Sequence, residues 1–136
     1  MPFILDASVA CAWVFADEAT PALDALLDLA TTTEAFVPPL WRSEVLNTLV
    51  QANRRGRIGE KEILALWAAL DRLPIRESPY MPPVGQIVEL CRKYDLTAYD
   101  AAYLALALWL GLPLATLDAD LAKAARSEGV EVLGGM

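Results

Sequence analysis

Thr97-Ala-Tyr-Asp100-Ala-Ala-Tyr103-Leu-Ala-Leu-Ala-Leu-Trp109-Leu-Gly111-Leu-Pro113-Leu-Ala-Thr116-Leu-Asp118 carries a single charged side chain, Asp100, between its two ends. Thr97 is placed to cap a helix over 98–110, and Gly111 to end it. The segment from Pro113 to Leu117 then reads as a short apolar strand that stops at Asp118. A helix that is apolar around its whole circumference must be covered on most sides. Gly111 and Pro113 interrupt the uncharged run from Ala101 to Ala115, which is shorter than the roughly 20 residues of a membrane span. A buried helix feeding a buried strand is the signature of an α/β fold with a mainly parallel sheet.

The same alternation runs outward from this stretch. Phe3-Ile4-Leu5 is an apolar strand ending at Asp6, with Ser8 as cap of a helix to about Ala16. Thr20-Pro21 opens a helix with Leu23, Leu26, Leu27 and Ala30 at helical spacing. Ala35-Phe36-Val37 is a second strand, stopped by Pro38-Pro39. A third helix carries Trp41, Val45, Leu46, Leu49 and Val50 and ends at Arg54-Arg55-Gly56, with cations in its last turn. Helices are expected over 59–73, from Pro82-Pro83 through Cys91, and from Asp118 to Arg126. Ile75-Arg76-Glu77 reads as an edge strand and 130–133 as the last strand. No repeat or linker interrupts the 136 residues, which form one domain over 1–136.

Composition removes several kinds of chemistry. There is no histidine, and the two cysteines, Cys11 and Cys91, stand far apart. A Cys/His zinc site, a Ser-His-Asp triad and a histidine acid–base pair are therefore excluded. Both cysteines read as small core residues of a reducing compartment. The N-terminus shows no basic leader, and the expectation is a cytoplasmic protein without a membrane span. The formal net charge of −7 repels phosphates on average, so contact with nucleic acid needs local arginines, bound cations or a basic partner. Arg42, Arg54, Arg55, Arg57 and Lys61 are the candidate cations. Trp13, Trp41, Trp67 and Trp109 lie on apolar stripes, where core or interface packing outweighs base stacking.

Four acids demand an explanation. Asp6 and Asp118 each follow an apolar strand, at the carboxyl ends where parallel sheets build their sites. Asp100 and Glu44 stand near the starts of helices that are otherwise apolar, where an ionised carboxylate costs several kcal/mol unless paired or metal-bound. Each also has a bland reading: Asp6 and Asp118 as helix caps, Asp100 as a first-turn acid, Glu44 as the partner of Arg42. Asp120 reads as a first-turn acid, with the choice between Asp118 and Asp120 as fourth acid left open. Converging carboxylates repel, and a hard divalent cation removes the conflict. Oxygen-only ligands favour Mg²⁺ or Mn²⁺, one or two ions, and the chemistry this suits is phosphodiester hydrolysis.

Four segments carry a resemblance to a known family. They are Ile4-Leu-Asp6-Ala-Ser8-Val9, Glu44-Val-Leu-Asn47-x-Leu49, Leu96-Thr97-Ala-Tyr-Asp100-Ala-Ala-Tyr103-Leu-Ala-Leu-Ala107, and Thr116-Leu-Asp118-x-x-Leu121-Ala-x-Ala124-Ala125 with Gly129 behind it. In this order and spacing the chain resembles the PIN-domain ribonucleases, above all the VapC-type toxins. The resemblance implies a PIN-like (Rossmann-like) α/β/α fold and an acidic Mg²⁺ or Mn²⁺ pocket of Asp6, Glu44, Asp100 and Asp118. Thr116, Asn47 and Ser8 match secondary polar positions. It further implies a metal-dependent endoribonuclease, the toxin of a type II toxin–antitoxin pair. Its partners would be an RNA substrate, a cognate antitoxin protein and a second copy in a homodimer, with DNA reached only through the antitoxin. Two rivals are a PIN-like module that binds partners without catalysis and a Mg²⁺-binding receiver domain. The receiver would need an acid after the second strand, where Val37-Pro38-Pro39 stands, and a lysine after the last strand, where there is none.

Overall fold

The computed structural model describes residues 1–134. Its five strands are β1 (Phe3–Leu5), β2 (Ala35–Val37), β3 (Ile75–Glu77), β4 (Leu114–Ala115) and β5 (Val132–Leu133). They form one sheet in the order β3-β2-β1-β4-β5, and every pairing is parallel. The helices are α1 (Ala7–Val14), α2 (Pro21–Thr32), α3 (Leu40–Arg54), α4 (Glu60–Asp71), α5 (Val84–Tyr94), α6 (Ala98–Leu110) and α7 (Ala119–Ser127). The expected α/β architecture with a short parallel sheet is the one observed. Central β1 is fully buried, and Ile4 pairs with Phe36 on one side and Leu114 on the other.

The helices fall into two groups. α1 packs with α2, α3 and α4, while α6 packs with α5, α7 and strands β1 and β4. Ala101 through Ala107 are all buried, and the alternation of alanines with leucines lets α6 lie close to its neighbours. Thr97 caps α6 by accepting the Asp100 amide, and Gly111 ends it at φ +67°, a left-handed conformation that costs other residues about 1–2 kcal/mol.

Several boundaries differ from the sequence expectation, each for a local reason. α1 begins at Ala7, so Ser8 lies inside the helix and is not its cap. α1 also stops at Val14, because Phe15 is extended and Ala16–Glu18 forms a separate 3₁₀ turn. β4 is shorter than 113–117: the Leu117 amide donates to the Ser8 hydroxyl and leaves the ladder. β5 starts at Val132 because the Val130 amide bonds back to the Ala125 carbonyl, closing α7 around Gly129 at φ +81°. The apolar sleeve around α6 is open at both ends, where Tyr99 and Trp109 are exposed.

Candidate active site

The carboxyl ends of β1 and β4 lie side by side, which brings Asp6 next to Thr116 across 110 residues of chain. Asp6 Oδ2 accepts two hydroxyl protons, from Thr116 Oγ1 at 2.7 Å and from Ser8 Oγ at 2.7 Å. Each hydroxyl in turn accepts a backbone amide: Thr116 takes the Asp118 N–H at 3.0 Å, and Ser8 takes the Leu117 N–H at 3.0 Å. With their acceptor sides occupied by amides, both hydroxyls point their protons at Asp6. Thr116→Val should therefore leave a buried carboxylate oxygen and an amide short of partners. The expected loss is about 1–3 kcal/mol in chemical denaturation.

Two helices supply the facing side. Glu44 sits one turn into α3 and accepts the Tyr103 hydroxyl proton on Oε1 at 2.6 Å. Arg42 does not pair with it; the guanidinium lies over the Trp67 ring, 4.9 Å from its centroid. Asp100 stands in the first turn of α6, half-buried. Asp118 caps α7, its Oδ1 accepting the Leu121 amide at 2.9 Å. Capping and a place at the cleft are thus compatible for this residue.

Asp6, Glu44, Asp100 and Asp118 line one open cleft of about 530 Å³, together with Ser8, Asn47 and four further side chains of note: Cys11, Glu18, Thr48 and Leu117. Burial is the first cause that raises the pKa of Asp6, Glu44 and Asp100 above the ordinary carboxylate range. Their mutual charges add to it: Asp118 acts on Asp6, Asp6 and Asp100 act on Glu44, and Asp118 and Asp6 act on Asp100. The Ser8 and Thr116 hydroxyls oppose the shift at Asp6, and Tyr103 opposes it at Glu44. The ion pairs among the described residues are made by other acids, so no protein cation neutralises this set. The donor chemistry suits a hard divalent ion. Among the described residues no three such side chains stand close enough together to enclose an ion.

Asp120 is not part of the cleft lining and acts on Asp100 as the weakest of its acidic neighbours. Of the candidate cations, Arg55 and Arg57 stand in an adjoining hollow that shares Asn47 and Thr48 with the cleft. Arg57 is held there by Asp17 at 2.6 Å and Glu18 at 2.9 Å and lies over the Phe15 ring. Three tryptophans pack internally: Trp13 donates to the Leu23 carbonyl, and Trp41 faces Trp67 at 6.1 Å. Burial lifts the Cys11 thiol to about 11, which leaves it protonated and inert. Tyr103 is the site residue that pattern reading missed as a role. The available signal was its spacing, three residues after Asp100 on the same helix face.

The chain is similar to known proteins over nearly its whole length. Residues 3–127 match the PIN domain. Ribonuclease VapC3 of Pyrobaculum aerophilum is 32% identical over 127 residues, covering 90% of this chain and 94% of that protein. Ribonuclease VapC12 of Mycobacterium tuberculosis is 32% identical over 120 residues, covering 88% and 89%. Among solved structures, PAE2754 from Pyrobaculum aerophilum superposes with a TM-score of 0.70 at 21% identity, covering 97% of this chain and 89% of that one.

Proposed function

Since the chain belongs to the PIN-domain family, among its VapC-type ribonucleases, we propose that it cleaves RNA endonucleolytically in a reaction that needs Mg²⁺ or Mn²⁺. The observation that carries this reading is the meeting of four carboxylates from four separate elements at one open cleft, with no protein cation between them. Asp6, Glu44, Asp100 and Asp118 would hold the ion. An ion held there would supply Lewis acidity, lowering the pKa of a bound water and offsetting charge on the leaving oxygen.

The chain's own groups prepare that chemistry. Ser8 and Thr116 fix the orientation of the Asp6 carboxylate, so little side-chain freedom remains to be lost on loading. The openness of the cleft suits a polymer whose backbone passes through, and Arg55 beside Asn47 and Gln51 offers a phosphate contact where the acidic surface would otherwise repel. Family membership supports the remaining features of the reading: a type II toxin acting in the cytoplasm, working as a homodimer and restrained by a cognate antitoxin through which operon DNA is reached. No helix among the described residues is long and apolar enough to cross a membrane.

The test is direct. Purified protein incubated with structured RNA should cut it in Mg²⁺ or Mn²⁺ and stop when EDTA is added. Cutting that continues in EDTA would remove the metal from the reading, and intact RNA under every metal condition would remove the nuclease.

A further inference from the structure

Tyr103 is the largest of the fully buried side chains, set in a run from Ala101 to Leu108 otherwise built of alanine and leucine. A buried phenol needs a hydrogen-bond partner, and phenylalanine would fill the same space without that demand. The partner here is Glu44 Oε1, on a helix 59 residues earlier. Glu44 needs the contact as much. It is half-buried, has no cation beside it, and its long side chain would otherwise be free to rotate away from the cleft.

We propose that Tyr103 is a positioning residue, whose buried hydroxyl holds the Glu44 carboxylate at the cleft and sets the spacing between the Glu44 and Asp100 sides of the site. The inference rests on the metal-dependent reading above. It assigns Tyr103 no contact with substrate or ion. Tyr103 acts through Glu44, and its place one turn beyond Asp100 makes α6 the shared support of both acids.

A second Tyr–Glu contact in the same molecule provides the control. Tyr94 donates to Glu128 between α5 and α7, outside the cleft lining. Mn²⁺ binding to the metal-free protein is measured by titration calorimetry, alongside thermal melting of each variant. Tyr103→Phe should weaken Mn²⁺ binding by about 10- to 100-fold, the usual cost of losing a group that orients a ligand. Tyr94→Phe should leave it within about twofold while removing a contact of the same chemical type. Glu44→Asp keeps the charge but gives up the reach to the hydroxyl, and should lose Mn²⁺ affinity by about tenfold or more. In a Glu44→Ala background, Tyr103→Phe should add nothing, because the acceptor through which the hydroxyl acts is gone.

Wild-type Mn²⁺ affinity in Tyr103→Phe or in Glu44→Asp would overturn the proposal and leave the nuclease reading intact. So would an undiminished effect of Tyr103→Phe when Glu44 is already Ala. Failure of the unmodified protein to bind Mn²⁺ at all would instead overturn the metal reading, and this inference with it.

Discussion

Asp6→Asn is expected to cut kcat/KM for RNA by more than about 100-fold while raising the melting temperature of the metal-free protein. The activity estimate follows from position. Loss of an orienting neighbour costs about 10- to 100-fold, and Asp6 is read as a ligand itself, so its loss should exceed the upper figure. The stability gain follows from electrostatics. The Asp6 carboxyl is buried, sits near the charge of Asp118, and binds its proton more tightly than an exposed aspartate does. Asparagine is neutral, and its single carbonyl oxygen can still accept from both Thr116 and Ser8.

The same burial sets a pH dependence. A carboxyl whose pKa is raised in the folded state favours folding fully below its ordinary value, 3.8 for Asp6. That contribution is lost as pH rises through the raised value. Glu44 and Asp100 act in the same direction. Thermal melts in EDTA should therefore show the metal-free wild type gaining stability from these groups as pH falls from neutral, and Asp6→Asn gaining less. A large drop in the melting temperature of metal-free Asp6→Asn would mean that Asp6 serves mainly to hold the fold.

The largest effect on the fold is expected at Leu104, which is fully buried in α6, the helix that packs on β1 and β4. Leu104→Ala should cost about 2–5 kcal/mol, the lost transfer energy plus the cavity left behind. Against a total stability of about 5–15 kcal/mol, that is a substantial share. The melting temperature should fall by about 10 °C, with the urea m-value unchanged. Leu64→Ala is the comparison, since Leu64 is 74% exposed on α4, and it should stay within about 0.5 kcal/mol of wild type. Equal losses at the two positions would contradict the burial of α6 against the sheet.

Asp6 and Asp118 were readable as neighbours because apolar strands in a parallel sheet deliver their ends to one edge. Glu44 and Asp100 were readable because an acid among alanines and leucines has to be accounted for. The roles of hydroxyls were not readable in the same way. Ser8 stands where a cap is expected, yet it bridges Asp6 and Leu117 across two strand ends. Tyr103 sits on an apolar stripe, and nothing in that pattern shows that its polar tip reaches an acid 59 residues away. Strand lengths were overestimated at β4 and β5 because single amides, those of Leu117 and Val130, leave the ladder for other acceptors. Arg42 looked like the natural partner of Glu44 by proximity on one helix, but a flat guanidinium is also well satisfied by an indole face.

The bond between Asp6 and Thr116 also bears on when the cleft can be completed during the chain's own synthesis. Residues near position 6 leave the ribosome first, and their partners near position 116 leave more than a hundred residues later. A nascent chain exposed only as far as Gly111 would already carry Asp6, Glu44 and Asp100, yet it would have neither β4 nor the hydroxyl that steers the first acid. Closing so long a loop is slow in comparison with local helix formation. The surroundings of Asp6 are therefore completed only late in translation, once β4 has emerged and found β1.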